Sequence, residues 1–381
     1  MTKQETKPFG GKKKNPKKII GIVLFVLLNV VVIAATAINE FGNSKNATEL
    51  SSVKINLWLL VPAVLLFTFA TLANIYKYVI MMRSSYRKSN MPSNSRIWAL
   101  AWNVTMLGKY YDNITPAAVG GQPFQIYYMR KESGLSHGHA TALPLVGMVA
   151  GQIGFLIIAI ICFVLNNLIG GNVVLMVTAW VGLLFYAFWP IMIFGISFYP
   201  GPTKKVLRFG VKILAKLRIV KKPEKAIATI ENELMEYVES IKMLARTKFL
   251  LAKVIFLSVI YNILTYSIPF FVIKAFGGNV EFFECFATTL AVTSAVYFVP
   301  TPGNSGAAEG TFYAVFSALS DGYIFWAMLV WRIFSYYIYI AIGPLTYFAI
   351  NLEKKRERKK RFNLEAGVED LSNGRKGERN V

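Results

Sequence analysis

Apolar runs long enough to cross a bilayer alternate along this chain with short polar segments, and the pattern predicts helices throughout. About six runs reach membrane-spanning length: Ile19 to Ile38, Asn56 to Ile80, Ala142 to Leu165, Val173 to Tyr199, Phe249 to Phe276, and Tyr323 to Ile350. Two further apolar stretches are broken near their middles. Residues 97–129 are interrupted by Thr115-Pro116-Ala117-Ala118-Val119-Gly120-Gly121, and residues 282–319 by Thr301-Pro302-Gly303-Asn304-Ser305-Gly306. Proline removes an amide donor and glycine carries a backbone entropy penalty, so neither window continues a helix. Both windows space Pro and Gly alike, Pro116 to Gly120 and Pro302 to Gly306, and a matched pair of broken helices points to a site between inverted repeats.

Composition narrows the class. With 381 residues, 55% hydrophobic and 16% charged, the chain reads as an integral helical membrane protein with no room for a large soluble domain. The formal charge of +22 is gathered in basic segments, which in a membrane protein mark cytoplasmic sides rather than nucleic-acid binding. Cys162 and Cys285 lie in apolar runs and read as packing residues, and His137 and His139 have no further ligands for a metal. No nucleotide-binding loop is present, so neither direct ATP use nor a cofactor is expected.

Loop charge then sets a topology. Residues 1–18 form a lysine-rich cytoplasmic tail, 19–350 the membrane domain with a cytoplasmic amphipathic insert at 201–248, and 351–381 a charged cytoplasmic tail. Ala35-Thr36-Ala37 also resembles a signal-peptide cleavage site, but the run before it is long enough to stay as an anchor. Asn46-Ala47-Thr48 is a sequon, meaningful only in a glycosylating pathway. Arg96 and Arg130 both read as cytoplasmic, so 97–129 dips in and returns, while 282–319 does the same from the other face. The expected fold is all-α, with about six full spans and two oppositely oriented re-entrant hairpins forming an inverted repeat. In the insert, the basic part 203–222 suits the anionic inner leaflet, with Leu207, Val211, Leu214 and Leu217 on one face. The part from Pro223 carries Ile227, Ile230, Leu234, Tyr237, Ile241 and Leu244 opposite glutamates, and is expected to pack on another helix.

Arg332 falls about 14 Å into its span and Glu309 about 18 Å from the same side, at ~1.5 Å per residue in a ~30 Å core. Charges at that depth call for a partner, and each is the other's natural one. Two plainer roles stand beside this: Glu309 complementing the start of its own short helix, and Arg332 as a structural counterion. Lys109 and Asp112 read as polar lining or mutual partners, and Lys77, Lys253 and Lys274 as side chains that snorkel to the surface. The unpaired amides at the helix starts near Gln122 and Ala307 favour phosphate. A groove of these amides with Arg332, Glu309, Asn304, Ser305, Gly306, Gln122 and Gln125 is the expected lipid-headgroup site.

The runs Asn113-Ile114-Thr115-Pro116 to Gly120-Gly121-Gln122-Pro123-Phe124-Gln125, Thr301-Pro302-Gly303-Asn304-Ser305-Gly306-Ala307-Ala308-Glu309-Gly310, and Trp331-Arg332-Ile333-Phe334-Ser335-Tyr336-Tyr337 resemble, in order, three signatures of one family. This is the lysylphosphatidylglycerol synthase transmembrane-region family, also called the flippase-like domain family. Gln122 and Gln125 stand where many relatives have an acid and an arginine. The resemblance implies a bacterial inner-membrane protein related to the lipid-translocating half of the multiple peptide resistance factor, with both termini cytoplasmic and a phospholipid substrate such as lysyl-phosphatidylglycerol. A transferase reading, with Glu309 or Asp112 as base, remains as the alternative, although the 31 residues after Ile350 are too few for the soluble lysyl-transfer domain. A third reading makes the chain a non-transporting partner that recruits a lipid-modifying enzyme through the helix from Pro223 to Arg246, and self-association stands beside it.

Overall fold

The computed structural model describes residues 55–116, 120–165, 173–216, 223–297, 299–319 and 323–356. The expected tail 1–18, the first span Ile19 to Ile38, the sequon, residues 217–222 of the basic segment and the tail after 356 lie outside them. All described elements are helical. In chain order they are α1 (Leu60–Ser85), α2 (Asn94–Ile114), α3 (Gly121–Glu132), α4 (His137–Leu165), α5 (Val173–Phe198), α6 (Pro200–Lys216) and α7 (Pro223–Arg246). They continue with α8 (Lys248–Ala275), α9 (Phe282–Val296), α10 (Ala307–Leu319), α11 (Ile324–Arg332), a π-helical turn (Ile333–Tyr337) and α12 (338–356).

Among the described residues, five helices are long and apolar enough to cross a membrane: Leu57–Ser85, His137–Val164, Val173–Ile193, Lys248–Ala275 and Ile324–Arg356. These coincide with the last five of the spans expected from the apolar runs. The broken stretches fold as two helix pairs, α2 with α3 and α9 with α10. Ser93 caps α2 by accepting from the Arg96 amide, and the helix ends at Thr115, whose extended backbone is what a following proline requires. Pro123 sits in the first turn of α3, where its missing N–H breaks no helical bond.

Polar contacts gather the loops into two groups. At one end, Arg83 donates to Asn94 (3.2 Å), Arg96 pairs with Glu353 (3.6 Å), Lys354 pairs with Glu132, and Arg130 pairs with Glu233 (3.1 Å). At the other, the Asn56 amide donates to the Ala275 carbonyl (2.9 Å) and the Tyr323 amide to the Phe276 carbonyl (3.2 Å). The hairpin α2–α3 starts and finishes at the first end, α9–α10 at the second, and their tips meet where Pro116 and Pro302 form an antiparallel bridge.

Two apolar clusters fill the bundle. One joins the halves of α4, α5 and α8 away from the basic end to α9, α10 and α11; the other joins the basic-end halves of α1 and α4 to α2, α3 and α7. α1 packs most extensively on α8. α7 lays Leu234, Tyr237, Val238 and Ile241 against the bundle, chiefly on α4, as the spacing from Pro223 predicts. α6 pairs with α7 through Arg208 and Glu231, and the guanidinium's hydrogen bonds hold that carboxyl below the usual carboxylate range. The face of α6 differs from the sequence reading. Val211 is buried and Leu207 turns inward, while Val206, Phe209 and Ile213 form the exposed apolar strip. Helical rotation explains this: a second apolar strip was available, and the one facing α7 was covered.

α5 and α9 approach so closely that a side chain at Gly182 has no place. A Cβ there would stand 1.8 Å from the Ser294 carbonyl oxygen, which is backbone and cannot swing aside. Gly182→Ala is therefore expected to destabilise the protein by about 1–3 kcal/mol. A thermal-unfolding midpoint in detergent equal to that of the unaltered chain would refute the close packing.

Candidate functional site

The site begins with the backbone of the two loops. Amides and carbonyls freed by a helix break must find partners inside the protein when water is scarce. In the first loop Thr115 Oγ1 donates to the Tyr111 carbonyl (2.7 Å) and accepts from the Gly120 amide (2.8 Å). The next amide, Gly121, donates to Asp112 Oδ1 (2.9 Å). In the second loop Thr301 Oγ1 donates to the Ser305 carbonyl (2.8 Å), and the Gly306 amide donates to Glu309 Oε2 (2.7 Å). Each loop is thus closed by the threonine before its proline, and each short helix starts on a carboxylate of this chain.

Glu309 and Arg332 do pair. Arg332 Nε donates to Glu309 Oε1 (2.7 Å), with the two side chains 5% and 2% exposed, too little for water to screen them. Arg332 Nη2 also donates to the Gly303 carbonyl (3.3 Å) and Ser305 Oγ (3.4 Å), and its guanidinium lies 4.6 Å from the centre of the Tyr336 ring. Both plainer readings hold as well: Glu309 closes its own helix start and Arg332 is a counterion. The π-helical turn that follows Arg332 completes the clamp. Its Tyr336 carbonyl accepts from Asn113 Nδ2 (3.3 Å) in the first loop, and its Tyr336 ring covers Gly303 in the second. Gly303 has φ +57, and a Cβ there would meet that ring at 2.3 Å, so only glycine fits.

Beside this clamp lies a chamber of about 350 Å³, between the two apolar clusters. Of the residues expected to hold a headgroup, Gln122, Gln125 and Asn304 line it, with Gly303 of the loop. Gln125 is also tied down, Nε2 donating to the Val104 carbonyl (3.0 Å). Arg332, Glu309, Ser305 and Gly306 are not on the chamber wall. They are bonded to one another behind the loop. Of the amides near the helix starts at Gln122 and Ala307, those of Gly121 and Gly306 are held by Asp112 and Glu309, and the same bonds engage the two carboxylates considered as bases.

Sequence reasoning passed over several chamber residues. Lys77 does not snorkel: it is 4% exposed and Nζ donates to the Gly147 carbonyl (3.1 Å). Asn74, Gln152 and Asn262 join it from α1, α4 and α8. Their signal was a polar side chain in the middle of an apolar run, one on each of three spans. Lys109 and Asp112 share the chamber, as expected of polar lining, but they form no ion pair among the described residues. A second cavity, about 470 Å³ and mostly apolar, opens among α3, α4, α5, α6 and α7 and shares Gln122, Met148 and Tyr297 with the chamber.

A helical, multi-pass membrane protein with two broken hairpins meeting beside a polar chamber is the class that fold and site define. Residues 18–343 match the model of the lysylphosphatidylglycerol synthase TM region, and the chain belongs to that family. No curated protein and no solved structure matches it.

Removing one partner of the buried pair leaves the other charged and unpaired. Glu309→Leu and Arg332→Leu are each expected to cost about 3–5 kcal/mol, and the double variant less than their sum. Unfolding in detergent measures this cycle. Strictly additive losses would mean that the two side chains do not depend on each other.

Proposed function

We propose that this protein moves a phospholipid, such as lysyl-phosphatidylglycerol, or a related anionic lipid between the leaflets of a bacterial inner membrane. The observation that carries this reading is the junction of a polar chamber with an apolar cavity at Gln122, Met148 and Tyr297. An amphiphile needs both environments side by side, a wet path for its headgroup and an apolar one for its chains. Gln122, Gln125 and Asn304 face the headgroup, and the Arg332–Glu309 pair positions the loop that carries Asn304.

On this reading the two hairpins are re-entrant, α2–α3 from the cytoplasm and α9–α10 from outside, and alternating access works by their movement about the Pro116–Pro302 contact. The cytoplasmic assignment of the α2–α3 end follows from its arginines and lysines. α6 rests on the anionic inner leaflet, with Val206, Phe209 and Ile213 in the acyl boundary and Lys205, Lys212 and Lys216 at headgroup level.

Reconstitution into liposomes with fluorescent phosphatidylglycerol and lysyl-phosphatidylglycerol tests the proposal by leaflet exchange. The unaltered protein should exchange at least one of them. Met148→Trp, which fills the junction of cavity and chamber, should slow exchange roughly tenfold, about 1.4 kcal/mol of barrier, while the protein stays folded. Absence of exchange for every lipid tried would sink the transport reading.

A further inference from the structure

The chamber wall carries two ammonium groups and one carboxylate, Lys77, Lys109 and Asp112. Asp112 is already bonded to the Gly121 amide, and neither lysine has an ion-pair partner among the described residues. Lys77 is almost completely buried; its Nζ donates to the Gly147 carbonyl and lies 5.5 Å from the centre of the Tyr78 ring. Lys109 lies 5.5 Å from the centre of the Tyr261 ring. Two cations against one carboxylate leave a positive charge unmatched in a largely buried space, and an entering anion offsets that cost. A second observation points the same way. Asn304 Oδ1 and Ser335 Oγ are buried on the same wall and have no hydrogen-bond partner among the described residues. Buried polar atoms without partners are uncommon, and hydroxyls of a ligand would satisfy them.

Resting on the lipid reading above and narrowing it to lipids other than lysyl-phosphatidylglycerol, we propose that Lys77 and Lys109 together bind the phosphodiester anion of a lipid whose headgroup carries no ammonium group. Asn304 and Ser335 take its hydroxyls. With both lysines protonated and Asp112 ionised, the chamber bears one excess positive charge when empty and is neutral when occupied. A headgroup with an added ammonium would restore the excess and bind more weakly.

Equilibrium binding to the purified full chain in detergent tests this with four probes: dioctanoyl phosphatidylglycerol, dioctanoyl phosphatidylcholine, dioctanoylglycerol and glycerol phosphate. Phosphatidylglycerol is expected to bind at least tenfold more tightly than each of the others. Lys77→Gln with Lys109→Gln should abolish that preference and leave dioctanoylglycerol binding unchanged; the single variants serve if the double one does not fold. Equal binding of phosphatidylglycerol and phosphatidylcholine by the unaltered protein would overturn the proposal, as would a preference that survives loss of the lysines. Glycerol phosphate binding as tightly as the lipid would overturn the lipid as ligand. The two readings fail separately: leaflet exchange without a lysine-dependent preference removes this site alone, and the preference without exchange removes transport alone.

Discussion

Backbone that leaves the helix inside an apolar bundle must have its polar groups bonded by the protein itself, and that constraint organises this structure. Two loops break the helices, and both rely on the same devices. A threonine before the proline closes the turn, and a carboxylate receives the first free amide of the following helix. Asp112 reaches Gly121 from the incoming helix, whereas Glu309 reaches Gly306 from within the outgoing one. The second solution leaves an oxygen of Glu309 for Arg332, and through Arg332 the loop is fastened to the π-helical turn. Because Tyr336 of that turn also bonds Asn113, the clamp holds both hairpins. A helix with regular hydrogen bonds through 333–337 would place Arg332 and Tyr336 differently relative to one another, which gives the irregular turn a physical purpose.

The same constraint explains where the chamber lies. Two apolar clusters, one toward each group of loops, leave a polar layer between them where Asn74, Lys77, Gln152 and Asn262 sit on three long helices. Those side chains would be expensive on a lipid-facing surface, and facing inward Lys77, Gln152 and Asn262 bond backbone carbonyls and a tyrosine hydroxyl. Asn262 donates to the Gly151 carbonyl (3.0 Å) and Gln152 to the Tyr297 hydroxyl (3.1 Å). Close helix contacts at Gly182 and Gly154 draw the outer helices in around the layer without filling it.

Much of this is legible in the amino-acid sequence itself. Apolar run length locates the five described spans, and Pro and Gly locate both breaks, because these signals depend on local backbone chemistry alone. The pairing of Glu309 with Arg332 follows from depth, since two opposite charges at similar distance from one face have few other partners. Direction is what the sequence hides. Lys77 is close enough to a helix end to reach water, and only the packing of α4 shows that it turns inward. α6 has two apolar strips, and spacing cannot say which one α7 covers. The helix starts do attract anions, but those anions are side chains of the same chain, a three-dimensional fact that no spacing encodes.

The two kinds of cation near the centre differ in a way that fits their placement. Arg332 presents a planar, permanently charged fork, and it is bonded simultaneously to a carboxylate, a carbonyl and a hydroxyl while lying against an aromatic ring. Such a group is suited to holding one geometry, and a lipid that had to displace Glu309 from it would leave a buried carboxylate unpaired. Lysine is a point charge on a flexible stem, able to follow a ligand as it moves and to release it without disrupting a network. The fixed cation therefore belongs to the loop and the adaptable ones to the chamber: on the proposed function, an entering headgroup would meet charge that can move with it while the backbone around it stays tied.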